Sequence, residues 1–72
     1  MTRTRINLVT LSDVNRFVET MSNIDAAVWL EDDDGSRVNA KSVLGTIYSL
    51  EWRRIYCYCE KDISLHLMPW II

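Results

Sequence analysis

Val14, Phe17, Val18 and Met21 stand at i, i+3, i+4 and i+7, the spacing that gathers side chains on one stripe of an α-helix. A helix striped in this way has to lay its apolar face on another layer. Its start is read at Ser12-Asp13, with Ser12 as a good N-cap and Asp13 near the positive end of the helix dipole. Asn15 stands where a full capping box would want Glu or Gln, so the cap is read as partial. Ser22-Asn23 ends the helix.

The layer that covers it is read from runs of strand character on either side. Arg5 to Thr10 is a first strand, in which Ile6 and Leu8 alternate with Asn7. Ala26 to Glu31 is a second, with Ala26, Val28 and Leu30 on one face and Ala27 and Trp29 on the other. Asp32-Asp33-Asp34-Gly35 makes a hairpin turn, since Gly35 can take a positive φ. Ser36 to Ala40 is a third strand with Val38 and Ala40 inward. Ser42 caps a short helix from Val43 to about Ser49, and Leu50 to Arg54 connects it to the next element.

Ile55 to Cys59 is a fourth strand, with Ile55, Cys57 and Cys59 on one face and Tyr56 and Tyr58 on the other. Asp62 starts a last short helix, which Pro69 stops near Met68. Ile63, Leu67 and Trp70 share its inner side, and Trp70-Ile71-Ile72 is expected to pack as a terminal plug. The order β-α-β-β-α-β-α predicts an α+β fold, a two-layer open-faced sandwich with helices on one face of an antiparallel sheet.

With 72 residues the chain makes one domain, and an apolar fraction of 49% can fill one core. A net charge of −2 with scattered basic residues argues against a nucleic-acid partner. No apolar segment follows Met1 to Arg5 as a signal peptide would need, and no run reaches membrane-spanning length. Cys57 and Cys59 lie two apart on one strand face, a poor geometry for a mutual disulfide. They are read as free thiols of a reducing cytoplasm.

The segment Asp25-Ala26-Ala27-Val28-Trp29-Leu30-Glu31, together with Phe17-Val18 and above all Val38-Asn39-Ala40-Lys41-Ser42-Val43-Leu44-Gly45, resembles the histidine-containing phosphocarrier (HPr) family of the bacterial sugar phosphotransferase system. The resemblance covers nearly the whole chain and implies a four-stranded antiparallel sheet in the order 1-4-2-3. Members of that family carry phosphate on a His just after the first strand, with an Arg two residues later and a Pro after it. Those positions fall here at Thr10, Ser12 and Asp13, and the chain's one His is His66. An imidazole gives a labile phosphoramidate; a Thr hydroxyl gives a stable ester, and Asp13 repels an incoming phosphate. The resemblance therefore implies a degenerate, cytoplasmic HPr-like protein without phosphocarrier activity or cofactor. It is not expected to be an enzyme, and its role would be binding or regulation.

Ser42 matches the family's regulatory serine, which a dedicated kinase phosphorylates in some members, and Val43, Leu44 and Ile47 match its partner-docking residues. By resemblance, the partners are phosphotransferase proteins or that kinase. Each site also has a plainer reading. Ser42 is an N-cap worth about 1 kcal/mol, although a phosphate there would sit at a helix N-terminus. Val43, Leu44 and Ile47 are the residues a short helix would send into the core. Thr10 and Ser12 lack a nearby base and read as strand-end and cap residues.

Cys57, Cys59 and His66 fall short of a zinc site, and Asp32 to Asp34 lack the spacing of a calcium loop. Trp29, Tyr56 and Tyr58 fall on the open face of the sheet, either solvated or as a surface for a homo-oligomer or partner. Such aromatics also serve RNA-binding sheets, a reading the acidic charge disfavours.

Overall fold

The computed structural model describes residues 1–72. Its elements run β1 (Thr2–Ile6), α1 (Leu11–Ser22), β2 (Val28–Glu31), β3 (Arg37–Asn39), α2 (Val43–Ser49), β4 (Ile55–Cys59) and α3 (Ser64–Leu67). The four strands form one antiparallel sheet in the order β1-β4-β2-β3. The expected α+β architecture and strand order are present. No helix is long and apolar enough to cross a membrane.

Strand alternation divides the sheet into two faces. Ile6, Val28, Leu30, Ile55, Cys57 and Cys59 turn inward and are buried with Phe17 and Met21 of α1 and Leu67 of α3. The helical stripe Val14, Phe17, Val18 and Met21 is buried throughout. Phe17 meets Trp70 edge to face, with ring centroids 5.1 Å apart, the arrangement aromatic quadrupoles prefer.

Several boundaries differ from the sequence reading. β1 starts at Thr2 and ends at Ile6 rather than running from Arg5 to Thr10. The cause is the buried Thr2 hydroxyl: it accepts the Ile63 N–H at 2.9 Å and donates to the Lys61 carbonyl at 3.0 Å. This fastens the start of the strand to the entry of α3. β2 begins at Val28, two residues later than Ala26. β3 keeps only Arg37 to Asn39 of the expected Ser36 to Ala40.

The connection to α1 is also capped differently. Thr10, not Ser12, is the N-cap, and Asp13 completes a full capping box. Asp62 does not cap α3 as its N-cap residue, which is Ile63. It instead accepts the Ser64 N–H at 3.0 Å and the Ser64 hydroxyl at 2.7 Å. At the C-terminus only Trp70 is buried; Ile71 and Ile72 remain exposed, with Ile71 bridging to Ile6 on the outer edge of β1. The β2–β3 turn is as expected: Gly35 has φ +87°, and the Asp32 carboxylate accepts the Asp34 and Ser36 N–H groups at 2.9 and 2.8 Å.

Candidate functional site

Two places carry the residues singled out in the sequence. The first is the corner between β1 and α1. Asn7 leaves the strand with its N–H on the Trp70 carbonyl at 2.8 Å. Thr10 is extended, at φ −114° and ψ 165°, and the helix starts at Leu11. The Thr10 hydroxyl accepts the Asp13 N–H at 3.1 Å. In return the Asp13 carboxylate accepts the Thr10 N–H at 3.0 Å and the Val9 N–H at 2.9 Å. These backbone bonds hold the Asp13 carboxyl below its ordinary value, with the Thr10 amide the larger cause and the Val9 amide next.

The corner is thus closed by its own anion. The Asp13 carboxylate holds the Val9 and Thr10 amides just ahead of the helix, and its negative charge works against the phosphate that a helix N-terminus would otherwise suit. Ser12 is an exposed residue in the first turn. His66 is exposed on α3, far from this role in sequence and on a different element.

The second place is α2 and the turn before it. The Ala40 N–H donates to the Val28 carbonyl at 3.0 Å, and the Ser42 N–H to the Asn39 carbonyl at 3.0 Å. The Asn39 side chain accepts the Lys41 N–H at 2.9 Å, and Lys41 Nζ donates to the Ile24 carbonyl at 2.6 Å. Ser42, at φ −100° and ψ 124°, then caps α2, its hydroxyl accepting the Gly45 N–H at 3.1 Å. Gly45 allows a close approach: a Cβ there would lie 3.3 Å from Val38 Cβ and 3.4 Å from the Asn39 carbonyl oxygen.

The polarity of α2 is inverted. Thr46 and Ser49 are fully buried, whereas Val43 is 42% exposed, Leu44 80%, Ile47 36% and Tyr48 58%. The reading of Val43, Leu44 and Ile47 as core residues is corrected by this. The physical reason is closeness: Gly45 abuts the end of β3, and α2 packs on α1, β2 and β3 with its small polar residues inward. The Ser49 hydroxyl is satisfied by the Thr46 carbonyl at 2.6 Å, but Thr46 Oγ1 has no partner.

Leaving Leu44 in water forgoes about 1.5–3 kcal/mol of burial. Four apolar side chains exposed on two turns, with Tyr48 set edge-on to Trp52 at 6.1 Å, form the kind of patch that marks an interaction surface. Sequence reasoning named three of these residues and missed Tyr48. Its position four residues after Leu44, on the same side of the helix, was the available signal.

Ser42, Val43, Leu44 and Ile47 thus belong to one surface element, and Thr10 and Ser12 to another, at the start of α1. No cleft is lined by residues of both. Cys57 and Cys59 are buried on the inner sheet face. Burial, and then the neighbouring Cys59, pushes the Cys57 thiol up to about 12, which makes it a poor nucleophile and metal ligand. Comparison with protein-family models, curated proteins and solved structures found no match.

Proposed function

We propose that this chain is an HPr-like protein without phosphocarrier activity, which binds a partner through the exposed apolar face of α2. The observation that carries the reading is the inverted helix: Val43, Leu44, Ile47 and Tyr48 face solvent while Thr46 and Ser49 are buried. A helix that served only to cover the sheet would gain by the opposite arrangement. The sheet order and the Asn39 to Gly45 segment support the likeness to phosphocarriers. The Thr10–Asp13 capping box supports the loss of phosphate transfer, because it fixes a carboxylate at the corner whose charge repels a phosphate.

In this reading the protein is not an enzyme. It acts in the bacterial cytoplasm by occupying a surface that phosphotransferase components use. The experiment is incubation with the phosphoenolpyruvate-dependent enzyme of the sugar phosphotransferase system. Binding that Leu44→Glu removes, without acid-labile phosphate on the chain, is expected. Stoichiometric acid-labile phosphorylation overturns the reading.

A second reading, regulation by phosphorylation of Ser42, is favoured by one observation. The residue is half-exposed and its hydroxyl points at the Gly45 amide of the helix start. A phosphate there would add charge beside the apolar patch and change its affinity for a partner. Treatment with HPr kinase and ATP, comparing the wild type with Ser42→Ala, separates this from simple capping. Equal labelling of both proteins refutes it.

A further inference from the structure

We propose that the open face of the sheet, on the side away from the helices, binds a short acidic segment of a partner protein. Cross-strand register sets two rows of side chains there. One row is Arg3, Tyr58, Trp29 and Asn39; the other is Arg5, Tyr56, Glu31 and Arg37. Three guanidinium groups therefore face one carboxylate. Glu31 pairs with two of them, Arg3 Nε at 3.3 Å and Arg37 Nη2 at 2.7 Å. Arg5 has no carboxylate partner. It lines a small cleft with Arg53 and Arg54, and of these only Arg54 is paired, to Asp33 at 2.9 Å. With Lys61 at the far end, six of the chain's eight cationic side chains gather at this face and its margins, against the carboxylates of Glu31, Asp33 and Glu60, in a protein of net charge −2.

The arrangement selects among occupants. The ring faces are already covered: Arg3 lies 4.2 Å from the Tyr56 ring centre, and Arg37 lies 5.6 and 5.3 Å from those of Trp29 and Tyr58. Bases of a nucleic acid would find few open rings to stack on. A second copy of the chain would set arginines against arginines, because a two-fold contact repeats the same patch on both sides.

A carboxylate segment fits instead. Arg3 and Arg5 are alternate residues of β1, about 7 Å apart on one face, the spacing of alternate side chains in an extended peptide. Arg3 and Arg37 lie against the rings and share Glu31, while Arg5, with no bonded partner, keeps its N–H groups for a carboxylate. At the other end of the face, Trp29, Tyr58, Arg37 and Lys61 line a cleft of about 310 Å³ whose one carboxylate is Glu60. It has room for an apolar side chain of the same segment. The outer edge of β1 is partly taken by Ile71 and Ile72, so the segment approaches over the face and does not extend the sheet.

The test uses the whole chain, isotope-labelled, with three probes: a short synthetic peptide alternating glutamate with valine, its lysine counterpart, and single-stranded oligothymidylate. The glutamate peptide is expected to shift the Trp29 indole and the β1 amides while leaving α2 unmoved, with affinity that falls as salt rises. Arg5→Gln, at an exposed residue with no side-chain bond, should weaken binding about fivefold at an unchanged thermal midpoint. No binding of the glutamate peptide, equal binding of the lysine peptide, preference for oligothymidylate, or unchanged affinity in Arg5→Gln would each overturn the proposal.

Discussion

Thr46→Val should make the protein more stable, which is unusual for a substitution at a fully buried position. Thr46 lies on the inner side of α2 and its Oγ1 has no hydrogen-bond partner. The Ser42 carbonyl one turn earlier accepts the Thr46 N–H at 2.9 Å and leaves the hydroxyl unpaired. An unsatisfied buried hydroxyl costs about 1–3 kcal/mol. Valine has nearly the same shape and a similar helix propensity, so neither a cavity nor a change in local preference offsets the gain. We expect about 1–2 kcal/mol of stabilisation, or roughly 5–15 °C in Tm for a domain of this size.

Ser49→Ala is the matched control. Its hydroxyl donates to the Thr46 carbonyl at 2.6 Å, so its loss should cost about 1 kcal/mol. Calorimetry and urea denaturation at constant m measure both. An unchanged or lowered midpoint for Thr46→Val would mean that the hydroxyl is satisfied, and the inward polar face of α2 would have to be described differently.

Thr10→Ala should cost about 1 kcal/mol, read by urea denaturation, because it removes the hydroxyl half of the capping box. Asp13 and Asp62 are both held below their ordinary 3.8 by hydrogen bonds, chiefly to the Thr10 amide and to the Ser64 hydroxyl respectively. Their contribution is therefore present above that value and lost as pH falls below it; Asp13→Asn should flatten this acid limb of the stability curve. Cys57, raised from 9.0 to about 12 by burial and by Cys59, should resist alkylation in the folded protein and react on unfolding. Its neutral form favours the fold fully below 9.0 and less as pH rises toward 12, which thermal midpoints across that range would record. Leu44→Glu, at a residue 80% exposed, should change stability by less than about 0.5 kcal/mol while removing partner binding.

The periodic elements were legible in the sequence because local pattern and tertiary need agree there. The α1 stripe from Val14 to Met21 and the β4 alternation from Ile55 to Cys59 are buried as their spacing requires. Boundaries set by long-range bonds were not legible. β1 starts at Thr2 because that hydroxyl reaches Lys61 and Ile63, and nothing near Thr2 in sequence announces those partners.

At the corner, Ser12-Asp13 is a reasonable local start signal, but Thr10 with Asp13 three residues later is the fuller one. At α2 the cap at Ser42 was readable, whereas the outward turn of Val43, Leu44 and Ile47 was not. A short helix carries too few residues for periodicity to say which side meets the core, and here Gly45 and Thr46 decide it. The guanidinium layer over Trp29, Tyr56 and Tyr58 depends on cross-strand contacts, of which Arg3–Tyr56 and Arg37–Tyr58 join strands distant in sequence.

The central claim is that α2 docks a partner while the Thr10 corner transfers no phosphate. The most direct test is a titration of the isotope-labelled chain with the phosphoenolpyruvate-dependent phosphotransferase enzyme, in the presence of phosphoenolpyruvate. We predict amide shifts confined to Ser42 through Tyr48 and no acid-labile phosphate on the chain. Acid-labile phosphate, or a titration that leaves the α2 amides unmoved, would contradict it.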